Sequence, residues 1–230
     1  MPPLRCVLAE WQILRVRLTR TRLPLWLILL AIVSVALQSR AGSDRLMLLA
    51  LRVGMLAALL GVAFGAGGEA DRAALPLILT HPTNPFALAL GRWLAAVTTA
   101  TGTMLVALAG GAAFGPSVPG LGLVRAAVAS GAATAAAAGA ALPGVWLGGN
   151  TVAAVLFLYI AGVSSFAPSD LQPALSGPLA RVGSVVLAWL PGVSRYHALG
   201  SGTLLPWLHA IAWSVGGVAG AAILAGRARR

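Results

Sequence analysis

The chain has 230 residues, 59% of them hydrophobic and 9% charged, with a mean hydropathy of +0.90. Soluble domains carry roughly 25% charged residues, so composition excludes a soluble globular protein and points to an integral membrane protein. The formal net charge of +11 comes from sixteen arginines and no lysine; they sit at the ends of apolar runs, where the positive-inside rule puts them, and form no basic face with polar or aromatic readers, which excludes nucleic acid as a partner.

Residues 4–20 precede the first long apolar run. Leu4, Val7, Leu8, Trp11, Leu14 and Leu18 recur at helical spacing, with Arg5, Gln12, Thr19 and Arg20 mostly elsewhere and Arg15 close to the stripe. The pattern predicts an interfacial helix within residues 1–22, its arginines toward lipid phosphates. A cleaved signal peptide fits poorly, because the basic region is too long and no A-x-A site closes the apolar run. The lone Cys6 allows no intramolecular disulfide.

Six spans are predicted, which makes the fold all-α. The first is residues 23–37, with Pro24 in its opening turn, where a missing N–H costs nothing. The second is 46–66, with Arg52 close enough to its start to snorkel. The third is 86–114, with Arg92 near its start, and Gly115-Pro116 and Pro119-Gly120 then mark a turn. The fourth, 121–142, is almost wholly Ala, Gly, Val and Ser, which predicts a helix buried among others, since small side chains let backbones approach. Pro143-Gly144 turns the chain into the fifth, 145–166, which carries Asn150, and the last is 208–225. Between them, residues 167–206 are the longest region that is not plainly a span. Residues 179–190 there are apolar but fall short of the ~20 residues a crossing needs, and Pro191-Gly192 breaks them off before Ser194, Arg195, Tyr196 and His197. A re-entrant or interfacial hairpin is expected.

Ten arginines fall in the N-terminal segment, the second loop and the C-terminus, against six on the other side. That bias puts both termini in the cytoplasm. The loop 67–85 is then cytoplasmic, the region 167–206 external, and residues 1–230 one transmembrane domain. The loop carries Glu69, Asp71 and Arg72, then Leu75, Leu77, Ile78 and Leu79, then His81-Pro82 and Asn84-Pro85. A polar, proline-punctuated segment between two spans lies at or outside the bilayer surface, and its apolar residues call for a packing partner.

No GxxxxGK[ST], HExxH or CxxC motif appears. His81, His197 and His209 are far apart, and a lone carboxylate such as Asp170 makes no acid–base pair. No catalytic residue, metal or cofactor bound by this chain is expected. Arg195, Tyr196 and His197 stand out as candidates for an external gate. Midspan positions are apolar or small, against a proton-coupled carrier or a channel with charged rings. A protein that moves something without such groups needs an outside energy source.

At this point the chain resembles the membrane subunit of type 2 ABC exporters, the ABC-2 permeases with the type V exporter fold, over nearly its full length. The shared elements are an N-terminal amphipathic helix, six spans with both ends inside, a cytoplasmic loop between spans two and three, and an external re-entrant hairpin before the last span. In that family the loop begins with a Glu, continues as a short Leu-rich helix, reaches a Pro, and enters span three at Gly followed by a basic residue. Glu69, Leu75, Leu77, Ile78, Leu79, Pro82, Gly91 and Arg92 fit that order. Two positions depart from it. Ala73-Ala74 replaces a Gly-Thr-like pair, and Pro76 replaces an acidic residue and shortens or kinks the helix.

The resemblance implies a permease of the bacterial cytoplasmic (inner) membrane. Glu69, Asp71, Arg72, Leu75, Leu79 and Pro82 would form a coupling helix docked on a separate ABC ATP-binding subunit, which holds ATP and Mg. A second permease copy, or a homologous permease, would complete the pathway. The haem-exporter B-type subunit of cytochrome c maturation shares the length and the six-span plan, with a signature loop richer in acidic and aromatic residues. It and a non-transporting structural subunit of a membrane complex are the alternatives.

Overall fold

The computed structural model describes residues 3–22, 25–29, 32, 43–66, 84–114, 120–146, 158–159, 177–199 and 203–228. Every described element is helical: α1 Pro3–Arg20, α2 Ser43–Gly61 with a π-helical turn at Val62–Ala66, α3 Pro85–Phe114, α4 Gly120–Ala141 with a 3-10 turn at Leu142–Val145, α5 Pro178–Trp189, α6 Val193–His197 and α7 Leu205–Arg227. Four stretches are long and apolar enough to cross a membrane: Arg45–Gly65, Pro85–Gly110, Gly120–Val145 and Leu205–Arg227. They coincide with four of the six spans expected from the sequence. The other two, 23–37 and 145–166, fall largely outside the described residues.

Local chemistry sets these boundaries. Asn84 caps α3: its Oδ1 accepts from the Phe86 N–H at 2.9 Å, its carbonyl accepts from Leu88, and Pro85 occupies the first helical position. Pro178 and Pro206 sit in the first turns of α5 and α7 in the same way. Pro143-Gly144 tightens the end of α4 into the 3-10 turn, with Trp146 N–H donating to the Pro143 carbonyl. At the end of α1, Arg22 adopts φ 57°, and its carbonyl accepts from the Trp26 N–H in the helical segment 25–29.

α2, α4 and α7 run in one sense and α3 in the other. Gly54 of α2 faces Thr134 and Ser130 of α4 and Met104 of α3, while Gly61 faces Ala96. Trp93 of α3 donates to the Ala135 carbonyl of α4 at 3.1 Å. Gly226 near the end of α7 faces Pro85 at the start of α3. The core between these helices is built from alanine and a few larger residues, among them Leu51, Met55, Leu59 and Met104.

The small-residue helix α4 buries one face, from Ala126 through Ala141, while Leu121, Val124 and Val128 in its first turns stay exposed. It meets α7 backbone to backbone. A Cβ built on Gly139 would collide with the Trp213 carbonyl, and one on Gly217 with the backbone of Gly139. Without water to reward burial of apolar surface, close contact of this kind is what holds such helices together.

Candidate functional site

Two clusters of polar and aromatic side chains mark the two ends of this bundle. The first joins α1 to α3. Val7, Glu10, Leu14 and Leu18 fall on one face of α1, and that face packs on the bundle, with Val7, Leu14 and Leu18 buried. The stripe expected from the sequence is thereby divided, because Leu4 and Leu8 stay exposed on the outer face among Arg5, Gln12 and Arg15. An outer face that mixes leucine and arginine suits a bilayer surface.

Glu10 reaches Arg92, with its Oε1 accepting from Arg92 Nε at 2.9 Å. The Arg92 side chain is fully buried and that of Glu10 nearly so. The Arg92 guanidinium also lies 5.0 Å from the centre of the Trp146 ring, where the π face stabilises a cation. Around the pair, Trp11 Nε1 donates to Thr98 Oγ1 at 3.0 Å. A Cβ on Gly91 would lie 2.8 Å from both the Val7 carbonyl and Glu10 Cβ, so glycine is what lets α1 sit this low on α3. At its other end, α1 lays Leu18 against Gly65 in the π-helical turn that closes α2.

Thus α1 grips the end of α2 and the start of α3, the two segments that flank residues 67–83. Six residues expected to dock a partner, Glu69, Asp71, Arg72, Leu75, Leu79 and Pro82, lie outside the described residues, as does His81. The sequence reading set Arg92 at the entrance to a span; its burial against Glu10 went unforeseen. One signal was available. Glu10 is the only acidic residue before Asp44, and it falls on the Val7–Leu14–Leu18 face.

The second cluster lies at the opposite end, where α4 and α7 begin. Tyr196 on α6 is fully buried and its hydroxyl meets His209 Nδ1 of α7 at 2.9 Å. His209 Nε2 is 2.7 Å from the Trp189 carbonyl at the end of α5. A carbonyl only accepts, so the shorter of the two contacts at Nε2 assigns the proton there. The 3.2 Å approach of Trp213 Nε1 to the same nitrogen is then no hydrogen bond, and Nδ1 accepts from the Tyr196 hydroxyl. Trp213, one turn along α7, donates to the same carbonyl at 2.6 Å. Burial holds the Tyr196 phenol well above its ordinary pKa, an effect that the charge of Arg195 offsets only in part. The phenol therefore stays protonated and donates.

The three gate candidates have different surroundings. Tyr196 belongs to the core of this knot. Arg195 turns back to donate to the Ala188 carbonyl, closing the break between α5 and α6. His197 is half-buried, and its buried Nε2 has no hydrogen-bond partner among the described residues. Arg125 of α4 ties the cluster down by donating to the Leu199 carbonyl at 3.2 Å.

His209, in the sequence only one of three histidines that stand far apart, is the hub. The i, i+4 pair His209/Trp213 at the start of a span was the signal for it. Among the described residues no group of three His, Cys, Asp or Glu side chains comes together as a metal site.

This knot makes a stability prediction. Tyr196→Phe removes one hydroxyl and leaves His209 Nδ1 without its donor. It is expected to cost about 1–3 kcal/mol, the scale for orphaning a buried polar group. Thermal melting of the purified protein in detergent measures the loss, and an unchanged melting temperature would place that hydroxyl in water. No protein-family model matches the chain, and no curated protein matches it.

Proposed function

We propose that the chain is the membrane-spanning permease subunit of an ATP-driven exporter, docking through residues 67–85 onto a separate ATP-binding subunit. The observation that carries this reading is the clamp formed by α1. It holds the segment that enters the loop, at Gly65, and the helix that leaves it, at Gly91 and Arg92. A force applied at the loop is then carried into α1 and α3 together, through packed backbone and a buried ion pair.

Connectivity supports six crossings. α1 packs at the end of the bundle where α2 finishes, yet α2 begins at the other end. α4 likewise finishes beside Arg92, while α5 and α6 stand at the opposite end. Both pairs of ends stand apart along the bundle, as the spans expected at 23–37 and 145–166 would require. The arginine distribution favours the cytoplasmic side for the α1 end, the resemblance implies a bacterial inner membrane, and α5 with α6 would then form the external hairpin.

In this reading Leu75 and Leu79 fill a groove on the ATPase, and Glu69, Asp71, Arg72 and Pro82 frame it. ATP and Mg belong to that partner, and a second permease copy or a homologous permease lines the pathway. The test is a double substitution, Leu75→Asp with Leu79→Asp, in the complex purified from native membranes. Loss of two apolar anchors at about 2 kcal/mol each, roughly 30-fold in affinity apiece, is expected to abolish stimulated ATP hydrolysis while the variant still inserts. Unchanged stimulation, or native membranes that yield no ATP-binding chain with the protein, would reject the reading.

A further inference from the structure

We propose that Arg45 and Arg52 of α2 form a binding site for a phosphate anion, the headgroup of an acidic phospholipid. The two arginines stand seven residues apart, two helical turns and about 10 Å along the axis. Both therefore project from one face, and both are exposed. With Leu48 and Leu49 between them they line an open cavity of about 350 Å³. That size falls in the range of roughly 300–1,000 Å³ typical of small-ligand sites.

The chemistry of the lining selects the ligand. A guanidinium group stays charged at any working pH and presents a planar fork of donors matched to phosphate oxygens. Leucines between the two forks supply an apolar wall suited to the glycerol and first methylenes below a headgroup. Asp44 is the one acidic residue on α2 against the two arginines, so the helix carries a net positive charge.

Depth fits as well. Arg45 opens the span and Arg52 lies two turns inside it. A long, flexible stem lets a charge at that depth reach back toward the headgroup layer. The site is at the end of the bundle away from α1, and it stands independently of the transport reading.

The test uses the full chain purified in neutral detergent. Phosphatidylglycerol, phosphatidylcholine or inorganic phosphate is added, and thermal melting is followed together with lipid retention in native mass spectrometry. Phosphatidylglycerol is expected to raise the melting temperature by roughly 5–10 °C at about 100-fold above its Kd and to be retained; phosphatidylcholine is expected to do neither. Arg45→Gln with Arg52→Gln is expected to lose the shift while melting normally without lipid. The single substitutions, each less disruptive, should lose part of it.

An equal shift in the double variant would overturn the site. Stabilisation by inorganic phosphate as large as that by the lipid would overturn the lipid assignment. Failure of the wild-type chain to distinguish the two lipids would overturn both.

Discussion

Glu10→Gln is expected to release α1 from the bundle and to cost about 3–5 kcal/mol, the scale for breaking one side of a buried ion pair. Glutamine keeps the shape of glutamate and removes only its charge, so the loss reports on electrostatics. The Arg92 guanidinium would keep the Trp146 face but lose the carboxylate that offsets its desolvation. Arginine cannot shed its proton, and so this cation has no cheap escape.

The reverse substitution, Arg92→Gln, should cost less. Glu10 retains some exposure and can take up a proton. Replacing both residues by apolar ones of similar volume should recover most of the loss, because well-packed hydrophobic replacements of buried pairs are often neutral. Chemical unfolding in mixed micelles compares the parent, the two single variants and the apolar double variant. Equal losses for the two single variants, with no recovery in the double, would mean that the pair contributes through packing alone. Gly91→Val is expected to detach the same helix by steric means, since its side chain would enter the space held by the Val7 carbonyl and Glu10 Cβ.

The parts of this fold that were legible in the sequence are those governed by local chemistry. Asn84-Pro85 started α3, Pro143-Gly144 finished α4, and Pro191-Gly192 separated α5 from α6, because capping and the missing proline N–H act within a turn of the residue concerned. The close packing of α4 was legible in part, since small side chains let backbones approach, while its first turns stay exposed. Pairings across long sequence distances were not. Glu10 and Arg92 are separated by 82 positions and Tyr196 and His209 by 13. In each case one member looked like an ordinary interfacial residue until its partner was brought against it.

The loop residues from Glu69 to Pro82 pose a different difficulty. In the reading proposed above, their role would be set by a surface on another chain. Residue order can suggest that surface, and only the partner can define its shape.

Gly217→Leu is expected to destroy the folded bundle, and Gly139→Leu to do the same. At this crossing each glycine faces the other helix's backbone, and no flexible side chain can move aside. Even a single Cβ would force α4 and α7 apart. The separation would run along the alanine-lined contact above and below it, where closeness of the two backbones is the main source of attraction. Overpacking in an adaptable core typically costs about 1–3 kcal/mol; here the cost should exceed that range, because the obstacle is main chain on both sides.

Gly216 is the control. It sits one residue from Gly217 on α7, is exposed, and has open space around its Cβ position. Gly216→Leu should therefore insert and melt like the parent. Size-exclusion profiles and melting curves of the three variants in detergent separate these outcomes. If Gly216→Leu and Gly217→Leu proved equally tolerated, the α4–α7 crossing could not be the close contact on which both ends of the molecule depend. The clamp at Arg92 meets the end of α4 through Trp146, and the knot at His209 is built on the start of α7, so a loose crossing would weaken the frame of both.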